Sequence, residues 1–311
     1  MAREGHVRRR VHVSIATLAV CACVLLAACA GSTANADNGR VLQVLAASNV
    51  WGSIAAQLGG TRARVQSVVS DPNADPHEYA SNTDDARAFA LADVVVLNGA
   101  GYDDWAQRLL QANPRRGRRV VTVADVLGRK AGDNPHFWYD PAAIPRVADR
   151  ITAGYKGADP SGGGYFDERR SAFTAALKPY TDRLAEINRK FTGIKVGATE
   201  NIFVYTAGAL GLNLISPPEF MNAVAEGNDP PAEAVATFLD QVNQGQIKVL
   251  VYNLQTATAV TTNLKRQAAA HDIPVVGVSE TLEPESAKFQ EWQLAQLISL
   301  ENALNSDALI K

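Results

Sequence analysis

Cysteine is scarce in this 311-residue chain, and its three cysteines all lie within the first 29 residues. Residues 30–311 therefore contain no thiol, so no disulfide can form within them. The same absence excludes a zinc site built from thiolates in this part of the chain. Any metal bound there must be held by nitrogen and oxygen ligands.

Several other signals are also missing. The net charge of -2 gives no electrostatic basis for binding nucleic acid. Beyond the N-terminus, no apolar run is long enough to cross a bilayer. The sequence has no Gly-x-Ser-x-Gly elbow and no phosphate-binding loop, which argues against two common enzyme classes. With 47% hydrophobic and 20% charged residues, the chain has the composition of a globular protein, and its length suffices for two domains.

The N-terminal residues have the pattern of a secretory signal. Four arginines lie among the first ten residues, an apolar segment follows at residues 11–26, and small residues lead to Cys29. The ending Leu-Ala-Ala-Cys resembles a bacterial lipobox, which implies a signal peptide at residues 1–28 and a lipid on Cys29. An ordinary secretory signal cut nearby, or an uncleaved anchor, is the alternative. Residues 29–40 are small and polar, and we expect them to form a flexible tether.

From residue 41 onward, short β-branched runs alternate with helix-length segments. This alternation indicates βα units and mostly parallel sheets that are buried on both faces. The predicted strands are residues 41–45, 65–69, 94–97 and 120–123, then 195–198, 249–252 and 275–278. The sequence thus predicts an α/β fold with two lobes, at residues 41–165 and 194–311, each with a central, mostly parallel sheet flanked by helices.

One long helix is predicted between the two lobes, at residues 166–193. Its apolar stripe, with alternating spacings of four and three, consists of Phe173, Leu177, Tyr180, Leu184, Ile187 and Phe191. Gly193 is suited to end the helix, and Pro179 should kink it. Because bending such a helix would cost packing along its length, we expect the lobes to open and close little.

Histidine is the candidate nitrogen ligand, since imidazole suits divalent first-row metals. Beyond the predicted signal the chain has His77, His136 and His271. His77 and His136 each follow a proline, which restricts the backbone and fixes the direction of the imidazole. Asp140 and Pro141 predict a helix start soon after His136. Taken alone, each histidine would be assigned to an ordinary loop, but the matching contexts favour the pair. His271 lies in a turn between helix and strand and is predicted to be on the surface.

Three segments, DPHEY, NGAGYDDW and NPHFWYDP, occur in this order along the chain. Together they resemble the metal-binding solute-binding proteins of zinc, manganese and iron ABC importers, the ZnuA/TroA-like family of cluster A-I. The resemblance covers about residues 41–304. It implies two α/β lobes joined by a rigid helix, with the metal in the cleft between them, and it places the first two ligands at His77 and His136.

The resemblance also implies a third and a fourth ligand. The third falls on Glu200, in the segment Thr-Glu-Asn-Ile-Phe; the alternative is a glutamate that only complements a helix dipole. The fourth falls on Glu280, where the family usually has an aspartate. Glu283 lies close enough to be the fourth ligand instead.

The resemblance implies a function that is not enzymatic. The chain would be a lipid-anchored protein on the extracytoplasmic face of a bacterial membrane, a monomer that captures a divalent metal and delivers it to the permease of an ABC importer. Two histidines and two glutamates favour manganese or iron(II), with zinc possible. Because only neutral imidazole coordinates, binding should weaken as pH falls through about 6.5.

Three other functions are compatible with parts of this pattern. A metal-dependent hydrolase could use a glutamate base beside two histidines, although neither histidine lies in a His-Glu-x-x-His helix. A siderophore- or corrinoid-binding protein of the same architecture would need a wide aromatic cleft. A surface adhesin is permitted by the fold.

Overall fold

A computed structural model describes residues 40–306, which belong to a single compact unit. The predicted signal peptide, Cys29 and the tether up to Gly39 lie outside the described residues. Within them, no helix combines the length and the apolar character that crossing a membrane requires.

The first half of the chain forms a parallel four-stranded sheet with the order β2-β1-β3-β4. Its strands are β1 (Leu42–Ser48), β2 (Ala63–Val69), β3 (Val94–Leu97) and β4 (Arg119–Thr122). All four residues of β3 are buried, because helices cover both faces of this sheet. The four strands predicted in this half are present, with ends that move by up to three residues.

The second half forms another parallel four-stranded sheet, with the order β6-β5-β7-β8. Its strands are β5 (Lys195–Ala198), β6 (Asn213–Leu214), β7 (Leu250–Asn253) and β8 (Val275–Val278). The sequence did not predict β6, since two residues are too few to show a period. The α/β class with two mostly parallel sheets is confirmed.

Eleven α-helices connect the strands of residues 40–306. The helices before the long one are α1 (Asn49–Gly59), α2 (Thr83–Leu91), α3 (Asp104–Ala112), α4 (Val123–Leu127) and α5 (Ala143–Ala158). The others are α6 (Gly163–Phe191), α7 (Val204–Ala209), α8 (Pro218–Ala225), α9 (Ala232–Asn243), α10 (Ala259–Ala270) and α11 (Phe289–Asn305). Short 3-10 turns lie at Gly60–Arg62, Pro76–Glu78, Phe137–Tyr139, Pro160–Gly162 and Asn201–Phe203.

Helix α6 is the long helix predicted between the halves. Its 29 residues would span about 44 Å at about 1.5 Å per residue. The apolar stripe from Phe173 to Ile187 is buried, and the helix continues through Pro179. It packs against α1 and α5 of the first half and against α11, the last helix.

The two halves share one hydrophobic core. Val44 and Val94 of the first sheet, Val196 and Val251 of the second, and the stripe of α6 belong to the same cluster of buried side chains. Two smaller clusters each lie within one half, so it is the largest core that spans the lobe boundaries proposed at residues 165 and 194. A shared core resists separation of the halves, because opening them would expose apolar surface.

Candidate metal centre

His77 follows β2 and lies in the 3-10 turn Pro76–Glu78. The Asp75 carboxylate accepts a 2.9 Å hydrogen bond from the backbone N–H of His77 and so caps this turn. The imidazole is 21% exposed, and its Nε2 atom points inward without a hydrogen-bond partner. The turn thus presents one nitrogen atom to the space between the two sheets.

His136 lies after β4 and is fully buried. Its Nδ1 atom is 2.8 Å from the Asn134 side-chain oxygen, which can only accept, so Nδ1 carries the proton of the neutral ring. The Nε2 lone pair is therefore free, and Nε2 has no hydrogen-bond partner. The helix predicted to start near Pro141 is α5, which begins two residues later, at Ala143, and the Asp140 side chain accepts a 3.0 Å hydrogen bond from the backbone N–H of Ala142 just before it.

Glu200 follows β5 and is also fully buried. Its side chain does not cap the 3-10 turn that begins at Asn201, so it does not act as a helix-start glutamate. Its Oε2 atom accepts hydrogen bonds from Asn253 Nδ2 and, at 2.8 Å, from Thr256 Oγ1. Its Oε1 atom has no hydrogen-bond partner and lies 3.2 Å from His136 Nε2.

Glu280 follows β8 and is the fourth fully buried donor. Its Oε2 atom lies 3.2 Å from His77 Nε2 and 3.7 Å from His136 Nε2, and it accepts a 2.8 Å hydrogen bond from the Tyr102 hydroxyl. Its Oε1 atom accepts a 2.9 Å hydrogen bond from Asn253 Nδ2. Glu283, the alternative fourth ligand, is exposed and is not part of the cluster.

The four predicted ligands therefore converge, two from each sheet. One donor atom from each of His77, His136, Glu200 and Glu280 lies within 4.8 Å of the others. Glu200 and Glu280 lie two residues beyond the carboxyl ends of β5 and β8, where open α/β sheets bind ligands, and His77 and His136 lie in the longer connections after β2 and β4. Three of these donor atoms are buried without a hydrogen bond, which is costly unless a cation satisfies them. The donor set fits a divalent metal ion.

The electrostatics of the cluster also favour a cation. Burial alone would lower the pKa of His77, but the charges of Glu280 and Glu200 outweigh it and raise this pKa to about 9. Burial and the charge of Glu280 raise the pKa of Glu200. Burial would raise the pKa of Glu280 too, but His77 and His136 reverse this effect and lower it. The two carboxylates thus keep His77 protonated at pH values above those at which a histidine ordinarily loses its proton.

Aromatic rings enclose this polar cluster. Tyr102 meets the ring of His77 edge-on at 5.0 Å, and Trp138 meets the ring of His136 at 5.2 Å. On the His77 side, a cavity of about 650 Å³ leads to solvent. Its lining includes Tyr102, Asn134 and Glu226. Of the four residues of the cluster, only His77 lines this cavity, so the cavity reaches the cluster from the His77 side.

Sequence analysis missed the residues that hold the ligands. Asn253, Thr256 and Tyr102 donate hydrogen bonds to the two glutamates, and none of them was singled out. Asn253 is the last residue of β7, so the rule that ligands lie at the carboxyl ends of parallel strands could have indicated it. Tyr102 lies within the segment NGAGYDDW, which was noted only for its resemblance. His271 is exposed, as predicted.

Comparison with known proteins found a matching family model and similar relatives. The family model described as zinc-uptake complex component A, periplasmic (ZnuA), matches residues 44–303. The manganese-binding lipoprotein MntA of Halalkalibacterium halodurans is 24% identical over 228 residues, which cover 70% of this chain and 75% of that protein. The zinc-binding protein AdcA of Streptococcus pyogenes is 22% identical over 251 residues, which cover 69% of this chain but only 47% of that protein.

Solved structures show the same fold. The crystal structure of ZnuA superposes with a TM-score of 0.69 at 21% identity and covers 85% of this chain and 100% of that one. The manganese complex of FpvC from Pseudomonas aeruginosa gives a TM-score of 0.69 at 19% identity, with 85% and 98% covered. A metal-free periplasmic metal-binding protein variant from Candidatus Liberibacter asiaticus gives 0.71 at 16% identity, with 85% and 99% covered.

Proposed function

Because the chain belongs to the family of zinc-uptake complex component A, periplasmic, we propose that it is an extracytoplasmic solute-binding protein for a divalent transition metal. It captures the ion between its two sheets and delivers it to the permease of an ABC importer. The metal is therefore cargo, and the protein is not an enzyme.

The observation that carries this proposal is the set of buried donor atoms that form no hydrogen bond. His77 Nε2, His136 Nε2 and Glu200 Oε1 are buried without a hydrogen bond, and Glu280 Oε2 lies within 3.7 Å of both imidazole nitrogens. Two glutamates carry two negative charges, which a divalent ion neutralises when both histidines are neutral. Four ligands on four loops, two from each half, also tie the halves together when the ion binds.

The ligand types favour manganese or iron(II), with zinc as a competitor. Two carboxylates form a harder donor set than three histidines would, and hard oxygen donors suit manganese. The affinity series at a given site of nitrogen and oxygen ligands still favours zinc, so the ligand types alone do not fix the order. The relatives include both a manganese-binding and a zinc-binding protein.

The proposal includes attachment to the membrane. Cys29 follows Leu-Ala-Ala, and acylation there would hold the domain at the extracytoplasmic surface through lipid rather than through a spanning helix. The relative from Halalkalibacterium halodurans is itself described as a lipoprotein. We propose that the chain acts as a monomer, since capture needs ligands from this chain alone.

Two alternative functions fit the centre less well. Catalytic zinc sites keep one coordination position open for water, whereas this cluster offers four protein donors. A siderophore or corrinoid would need a wide apolar cleft, whereas the donor atoms lie within 4.8 Å of one another.

Metal competition provides the test. Protein stripped with a chelator is titrated with manganese, iron(II) and zinc in the same buffer, and bound metal is quantified after dialysis. We expect one ion per chain, and a strain deleted for the protein should lose uptake of the preferred ion. Failure to bind any of the three ions at micromolar concentration would refute the proposed function.

A further inference from the structure

The two carboxylate oxygens of Glu200 differ in their hydrogen bonds. Oε2 accepts one hydrogen bond from Asn253 Nδ2 and a second from Thr256 Oγ1, so both of its lone pairs are used. Oε1 accepts none, although it is equally buried. One oxygen of this carboxylate is therefore committed to the protein, and the other is directed at the cluster.

Asn253 is itself held in one orientation. Its side-chain oxygen accepts a 3.1 Å hydrogen bond from the backbone N–H of Gln255, which directs the amide NH2 toward the carboxylates. That NH2 then gives one hydrogen to Glu200 Oε2 and the other to Glu280 Oε1. Asn253 is 1% exposed and Thr256 is 6% exposed, so water does not compete for these bonds.

From this arrangement we infer that Asn253 and Thr256 act as specificity-determining positioning residues: they restrict Glu200 to a single coordinating oxygen. The inference rests on the proposed function, since it concerns how the same centre distinguishes its ions. For Glu200 to bind through both oxygens, Oε2 would have to give up both hydrogen bonds, which would leave the Thr256 hydroxyl and one hydrogen of Asn253 Nδ2 buried without an acceptor.

Restricting Glu200 limits how many protein atoms can surround the ion. Two imidazole nitrogens, Glu200 Oε1 and one oxygen of Glu280 make four donors, or five if Glu280 uses both of its oxygens. Zinc is stable with four ligands in a tetrahedral set. Manganese prefers six oxygen-rich ligands in an octahedral set and would have to make up the difference with water. By restricting Glu200, the hydrogen bonds from Asn253 and Thr256 therefore disfavour manganese.

The restriction of Glu200 and the types of ligand have opposite effects on the preference between manganese and zinc. Two carboxylates favour manganese or iron(II) over zinc, whereas the hydrogen bonds that hold Glu200 disfavour the ion with the largest coordination number. A relative with the same four ligands but without these two donors would be expected to bind manganese more tightly relative to zinc. The preference among ions is thus set partly by residues that do not touch the metal.

Substitution of Thr256 tests the inference with the least disturbance. Thr256→Val removes the hydroxyl but keeps the shape of the side chain, and Thr256→Ser keeps the hydroxyl and serves as the matched control. Full-length wild type and both variants are titrated with manganese and zinc in competition. Cobalt(II) is also added as a spectroscopic probe, because four-coordinate cobalt absorbs visible light far more strongly than six-coordinate cobalt does.

For Thr256→Val we expect the ratio of manganese to zinc affinity to rise about tenfold, the size expected for losing one hydrogen bond to a charged group. Cobalt absorption should weaken as the coordination number rises. Thr256→Ser should restore both wild-type values. A general loss of packing would lower both affinities without changing their ratio or the shape of the cobalt spectrum.

Two results would overturn the inference. One is an unchanged ratio and an unchanged cobalt spectrum in a Thr256→Val protein that still binds metal. The other is a crystal structure of the wild-type metal complex in which Glu200 coordinates the ion through both oxygens, which would show that Glu200 is not restricted. Both leave the proposed function standing, whereas a wild type that binds no divalent ion would refute that function as well.

Discussion

His77 Nε2 lies 3.2 Å from Glu280 Oε2, so a loop of the first sheet meets a loop of the second at the candidate metal centre. The two residues are 203 positions apart in the chain. Burial opposes a charge on His77, but the carboxylates of Glu280 and Glu200 outweigh it and raise the pKa of His77 to about 9. A proton and a metal ion therefore compete for the same nitrogen.

This competition sets the pH dependence of metal binding. From the sequence alone, metal binding was predicted to weaken as pH falls through about 6.5, the ordinary pKa of histidine. The raised pKa of His77 moves the pH range of this weakening upward. We expect metal affinity to fall about tenfold for each pH unit below about 9, because binding must release the proton of His77. Calorimetry in buffers of different ionisation enthalpy, at a pH between 7 and 8, should detect about one released proton per ion.

The control for this prediction is Glu280→Gln, which removes the charge that contributes most to raising the pKa of His77. In that variant the pH range over which metal affinity falls should shift back toward pH 6.5. A wild-type affinity that is constant between pH 7 and 9 would contradict the raised pKa.

The metal-free protein should show the opposite pH trend in stability. Because the folded state holds the His77 proton more tightly than the unfolded state does, its contribution to the free energy of unfolding is complete below pH 6.5 and is lost as pH rises to about 9. The lowered pKa of Glu280 adds to the free energy of unfolding above about pH 4.5, and this contribution is lost as pH falls below that value.

The size of the His77 effect is on the order of 3 kcal/mol. Urea denaturation of chelator-treated protein at pH 6 and pH 9 measures it. The variant His77→Gln should flatten the profile between these two values. Equal stability of the wild type at both pH values would rule out this linkage.

Removing either candidate histidine should abolish tight metal binding. His77→Ala and His136→Ala each delete one of four donors and leave a buried cluster with excess negative charge. We expect losses of at least a hundredfold in affinity, about 2.7 kcal/mol or more, with circular dichroism unchanged. The matched control is His271→Ala, since His271 is exposed and distant from the cluster, and it should bind metal like the wild type.

Replacing Glu200 by histidine should shift the metal preference. The bound centre would change from neutral to a net charge of +1 and would gain a softer ligand, and both changes disfavour manganese more than zinc. We expect Glu200→His to lower the ratio of manganese to zinc affinity about tenfold, which is about 1.4 kcal/mol. Competition titration at one pH measures the ratio. Glu283→His makes the same chemical change at an exposed glutamate and should leave it unaltered.

The proposed anchor gives a prediction for the N-terminus. Cys29→Ala should abolish acylation, so that the protein appears in the soluble fraction or accumulates as an unprocessed precursor, since acyl chains contribute about 0.8 kcal/mol per buried methylene. Fractionation and intact-mass measurement distinguish these outcomes. Cys23→Ala changes a cysteine inside the predicted signal and should leave processing normal. A Cys29→Ala protein that stays membrane-bound at its normal mass would exclude lipidation at this position.

Local sequence patterns were sufficient for most of the fold. β3, β5 and β8 have the predicted ends. The continuous apolar run of β3 is typical of a strand that is buried on both faces. The apolar stripe on α6 could also be predicted from the sequence, since its spacing repeats over five helical turns. β6 was not predicted, because its two residues pair with β5 only after the chain has folded.

The candidate site could be predicted only in part. His77 and His136 stand out through their Pro-His contexts, which are local, whereas Glu200 and Glu280 came from resemblance. Sequence could not decide between Glu280 and Glu283, since both lie in the same loop after β8. In the folded chain Glu280 is fully buried, whereas Glu283 is exposed.

What the sequence determined by itself is the class of fold and the chemistry available to a metal: nitrogen and oxygen ligands, without thiolate. Only the tertiary structure decided which atoms face the ion and which are committed to the protein. Asn253 and Thr256 contact Glu200 across more than 50 residues of chain, and no local period records such a contact. It follows from the placement of β5 beside β7, which long-range packing fixes and which brings the carboxyl ends of these two strands together.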